Sequence, residues 1–78
     1  MMKTVELAIR RISRRVDKVT GGHDTILDFL YDAAENYEYT EDGKKATSEY
    51  IINGLYTEAD NYIDLLKQQG EIDPSAEW

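Results

Sequence analysis

Apolar residues recur every three or four positions in three separate stretches of this chain, and that spacing constrains the fold more than anything else in it. In the first stretch Val5, Ile9, Ile12, Val16 and Val19 are spaced 4, 3, 4 and 3, which puts them on one stripe of a helix over residues 4–19. Thr4 is its candidate cap, and Gly21-Gly22 ends it, because glycine tolerates the left-handed backbone of a helix C-terminus. In the second stretch Ile26, Leu27, Leu30, Ala33, Ala34 and Tyr37 form the inward face of a helix over residues 25–39, with Phe29 at the edge of that face. Asp24 or Thr25 supplies the N-cap oxygen, and Asp28 follows Thr25 at capping-box distance. Thr40, Glu41, Asp42 and Gly43 make a turn by composition.

The third stretch, residues 45–69 with Gly70 as its stop, repeats Ile52, Leu55, Ala59, Tyr62 and Leu66 at 3, 4, 3 and 4. Ile51, Tyr56, Ile63 and Leu65 widen the stripe. Asn53-Gly54 is a turn signal inside it, and Thr57 could cap a new helix beyond. The apolar phase nevertheless runs through without a shift, which favours one continuous helix with a weak point.

Three amphipathic helices with no strand signal predict an all-α, up-down-up three-helix bundle over residues 1–70, followed by an irregular tail at 71–78. A chain of 78 residues holds one core of about 3–5 kcal/mol, and with no cysteine it has no disulfide to reinforce it. One dimension does not match. At 1.5 Å per residue the third helix would be about 37 Å long against about 24 Å for the first two. Either Asn53-Gly54 kinks it, or its far end projects with Tyr62, Ile63, Leu65 and Leu66 exposed, a surface that calls for a homodimer.

Charge is divided unevenly along the chain. Residues 1–19 carry six cations against two acids, a net +4, while residues 20–78 carry three against fourteen, a net −11. Arg10, Arg14 and Lys18 repeat at i, i+4, and Arg11 and Arg15 flank the other border of the stripe. Asp24, Asp28, Asp32 and Glu35 make an acidic ridge on the second helix. The plainer reading sets these ridges against each other across a helix boundary, with each pair worth under about 1 kcal/mol. In the other reading the arginine face meets an acidic partner or a nucleic-acid backbone, since the guanidinium fork suits phosphate. An overall charge of −7 disfavours direct binding to nucleic acid or to an anionic membrane.

The acids are interspersed with six tyrosines, a side chain that supplies rigid contact area with a polar tip. Tyr37, Tyr56 and Tyr62 are expected at the edge of the core. Asp28, Asp32, Glu35, Tyr31, Tyr39, Glu49, Tyr50, Asp60 and Asp64 form the candidate partner-binding set. In composition, though in no alignable motif, this resembles DNA mimics and small acidic inhibitor or immunity proteins. The function expected is a helical module that covers a basic surface on a larger protein, and a phage or mobile-element source fits its size and charge. The alternatives are a homo-oligomeric assembly factor using the apolar stripes of helices 1 and 3, or a nucleic-acid accessory using Arg10, Arg11, Arg14, Arg15 and Lys18.

Nothing points to an enzyme, a cofactor or a metal. His23 stands alone in a turn, no nucleophile lies in an activated context, and no phosphate-cradling loop, HExxH or calcium loop is present. Carboxylate pairs such as Asp28/Asp32 and Asp60/Asp64 would need a cleft to perturb them, and a bundle this small has little room for one. No apolar run approaches the roughly 20 residues of a membrane span, and residues 1–4 lack a signal-peptide core, so a cytoplasmic protein is expected. The tail with Trp78 is either a recognition peptide or, as favoured here, a segment that is mobile or folds its tryptophan back over the bundle.

Overall fold

The computed structural model describes residues 2–22 and 26–78. Three helices pack in up-down-up order: α1 (Lys3–Thr20), α2 (Leu27–Asn36) and α3 (Ser48–Gln68). All three pairs of helices touch.

α1 lies within a residue of its expected span at each end, and its stripe becomes the core. Val5, Ile9, Ile12 and Val16 are buried, with Ser13 beside them. Its start is not capped as expected: Met2 holds the N-cap position with no side-chain bond, and Thr4 lies inside the helix. At the other end Gly21 and Gly22 take φ of 78° and 72°, and both their amides donate to the Asp17 carbonyl. Two successive left-handed residues end the helix at little cost only because neither carries a Cβ.

α2 is shorter than the periodicity predicts. It stops at Asn36, with Tyr37 as its C-cap, because the backbone beyond bonds across a loop. Thr40 N–H donates to Lys44 O, Ala46 N–H donates to Glu38 O, and Tyr39 and Lys45 form an isolated antiparallel bridge. The 40–43 turn closes with Gly43 N–H on Thr40 O and Gly43 at φ 79°. The same bridge holds Lys45 and Ala46 out of α3, which begins at Ser48 with Thr47 as its N-cap, the hydroxyl accepting from Tyr50 N–H at 3.2 Å. The Asp24/Thr25 cap expected for α2, like His23, lies outside the described residues.

α3 is continuous through Asn53-Gly54. The reason for the glycine lies elsewhere: a Cβ on Gly54 would sit 2.8 Å from ring carbons of Tyr37. Gly54 is therefore the seat of an aromatic ring rather than a break. At 21 residues α3 is about 31 Å long, close to the roughly 27 Å of the 18-residue α1 but about twice the length of the 10-residue α2, so the expected overhang remains against α2 and disappears against α1. Ile63 and Leu66 are buried, Tyr62 is half-buried, and only Leu65 is exposed.

Residues 71–78 carry no helix or strand, and they fold back along the bundle. Ile72 and Trp78 pack on the core. The Trp78 indole stacks on Tyr56 with centroids 5.8 Å apart, lies 5.2 Å from the Arg15 guanidinium carbon, and donates from Nε1 to Asp60 at 2.9 Å. Arg15 also donates to the Trp78 carbonyl. Asp73 shapes the turn by accepting from the Ser75 N–H and hydroxyl, which holds its carboxyl below the usual carboxylate range.

Candidate functional site

Among the described residues the internal pairing of basic and acidic ridges is not formed. The one ion pair among the described residues is Arg10 with Glu6 at 3.3 Å, within α1 itself. The cause is the rotation of the helix. Burying Ile9, Ile12 and Val16 turns Arg11, Arg14 and Lys18, at roughly 100° per residue, to the opposite side. All five expected cations, Arg10, Arg11, Arg14, Arg15 and Lys18, are exposed, and Arg15 is engaged by the tail. α2 behaves alike: with Leu30, Ala33 and Ala34 buried, Asp28, Asp32 and Glu35 stand exposed on the outward side.

The rest of the expected partner-binding set divides between different sides of the bundle. Tyr31 is half-buried and packs on the core. Tyr39 is exposed at the bridge to Lys45. Glu49, Tyr50 and Asp64 are exposed on α3, but Asp60 accepts from Trp78 and belongs to the tail contact. Most of the apolar stripes of α1 and α3, offered by the sequence as a subunit interface, go into the chain's own core, with Leu65 left exposed.

One cluster does come together, in the seam between α2 and α3. The Tyr37 hydroxyl donates to Glu58 Oε1 at 3.0 Å, and its ring meets Tyr50 edge-on at 6.1 Å. The hydrogen bond to Glu58, then burial and the nearby carboxylate, raise the Tyr37 phenol above its usual range. Beside it a concavity of about 190 Å³ is lined by Phe29, Asp32, Ala33, Asn36, Tyr37 and Glu58. Phe29 and Tyr50 remain 45% and 40% exposed, so this seam offers aromatic surface among carboxylates. Sequence reading missed Phe29 and Glu58 as members. Phe29 lies off the apolar stripe, which marked it as an edge residue but not as an exposed one, and nothing local links Glu58 to Tyr37.

A second concavity, of about 460 Å³, opens at the end of the bundle where α1 starts and α2 stops. Val5, Ala34, Ala46 and Ile51 lie beneath it, and Glu35, Glu38 and Lys45 stand at its edge. Among the described residues no three His, Asp or Glu groups are placed to hold a metal ion, and no helix is long and apolar enough to cross a membrane. No known protein family, curated protein or solved structure matches this chain.

Proposed function

We propose that this chain is a protein-binding module, not an enzyme, and that its acidic α2–α3 side covers a basic surface on a larger protein in the cytoplasm. The observation that carries the reading is the company kept by the α2 acids. Asp28, Asp32 and Glu35 are exposed and make no ion pair among the described residues, and Asp32 borders a seam with half-exposed Phe29 and Tyr50. Unpaired carboxylates give steering and specificity toward a basic site, and aromatic side chains supply the contact area that carries affinity. A basic site that ordinarily holds nucleic acid has this chemistry, so inhibition by occupying such a site is the mode of action expected.

The test is affinity capture from the source organism with the wild-type chain and with Asp28→Lys/Asp32→Lys/Glu35→Lys, after circular dichroism shows that the variant is helical. A basic protein retained by the wild type, released by salt and lost in the variant supports the reading. A partner that survives the triple reversal contradicts it.

A further inference from the structure

We propose that a second copy of this chain docks on the α1–α2 face, the basic helix of each copy lying on the acidic ridge of the other. Two opposite charges stand on neighbouring helices without meeting. Lys3, Arg11, Arg14 and Lys18 on α1 and Asp28, Asp32 and Glu35 on α2 are exposed and form no ion pair among the described residues. Within one chain they point outward from adjacent helices and do not pair, which leaves them open to another molecule. The chain itself presents the complement of each face.

The fold supplies a symmetry that joins both at once. A two-fold axis parallel to the helices keeps every residue at its own height while exchanging the positions of α1 and α2, so each α1 lies antiparallel on the partner copy's α2. Heights follow from the wide concavity, which brings Met2 and Val5 level with Ala34, Glu35 and Glu38. Counting about 1.5 Å per residue from there in opposite directions, Lys3 falls near Glu35, and Asp28 falls between Arg14 and Arg10, the latter already paired with Glu6 at 3.3 Å in its own chain. Each of these contacts is made twice. Leu7, 55% exposed, and half-buried Tyr31 lie among the charges and provide apolar contact.

The net charge of −7 opposes association with any polyanion. Between two copies, however, the Debye length of about 10 Å at ~0.1 M salt screens the distant acids and leaves the facing charges in control. The dimer does not depend on the partner reading above. It shares Asp28, Asp32 and Glu35 with that reading but leaves the ring of Phe29 uncovered, and it is tested on the purified chain alone.

The experiment is sedimentation equilibrium in ~0.1 M and ~1 M NaCl, where the Debye length falls from about 10 Å to about 3 Å. The expected result is twice the 9.0 kDa chain mass at the lower salt and the single mass at the higher. Arg10→Glu/Arg14→Glu and Asp28→Arg/Glu35→Arg, each confirmed helical, should weaken the dimer about tenfold or more on their own. Mixed together they should form a one-to-one heterodimer, because the reversed faces again complement each other. A monomer at both salts overturns the proposal, as does a dimer indifferent to both reversals or a mixture that fails to pair. Retention of duplex DNA at the lower salt, lost in Arg10→Glu/Arg14→Glu, would assign the basic face to a polyanion and overturn it too.

Discussion

Gly54 occupies the middle of α3, where glycine ordinarily costs about 1 kcal/mol relative to alanine. The Tyr37 ring lies against it so closely that a single added methyl would come within 2.8–2.9 Å of three ring carbons. That ring is also fixed through its hydroxyl to Glu58 and through its edge to Tyr50. Gly54→Ala should therefore lower stability by about 1–2 kcal/mol in urea unfolding, against the sign that helix propensity alone predicts. In a Tyr37→Ala background the sign should revert, and the same substitution should stabilise. A gain in stability from Gly54→Ala in the otherwise unchanged chain would show that the ring is not seated there. In the sequence Asn53-Gly54 stands out only as a turn signal. The unbroken apolar phase correctly argues for a continuous helix, but no local pattern ties Gly54 to a tyrosine seventeen residues earlier.

At the level of elements, periodicity located all three helices and missed the end of α2 and the start of α3. α1 is legible because its stripe, its cations and its paired glycines agree. α2 overran because Tyr37 keeps the helical phase, while the 38–46 backbone finds its hydrogen bonds across a loop instead and holds Lys45 and Ala46 out of α3. Cross-loop bonds of this kind leave no periodic trace. The tail is the other element whose place is set by long-range contacts: Tyr56 stacking, the Arg15 cation and the Asp60 carboxylate converge on Trp78 from two helices. Trp78 is the only tryptophan, so its fluorescence reports the tail alone. The native chain should emit to the blue of the urea-unfolded chain. Tyr56→Leu with Asp60→Asn should shift emission toward the red and cost about 1–2 kcal/mol, with little change in helical circular dichroism. Native emission already at the unfolded wavelength would mean that the tail does not pack.

Across the whole molecule, the charge asymmetry is legible from the sequence but its orientation is not. Both ridges are visible as i, i+4 repeats, and their pairing is an economical guess. Which way a ridge points depends on how far each helix rolls to bury its stripe, and here the roll turns cations and carboxylates outward on adjacent helices. The binding proposals both rest on those faces being unspent inside the chain. The most direct test is the urea midpoint of the protein, at concentrations dilute enough to keep it monomeric, in ~0.1 M and ~1 M NaCl. With no ridge-to-ridge pairing, salt mainly screens the repulsion within an acidic molecule and along the α1 cations, so the midpoint should hold or rise. A midpoint that falls with salt would mean that α1 and α2 are paired internally after all, and the faces proposed for partners would already be occupied.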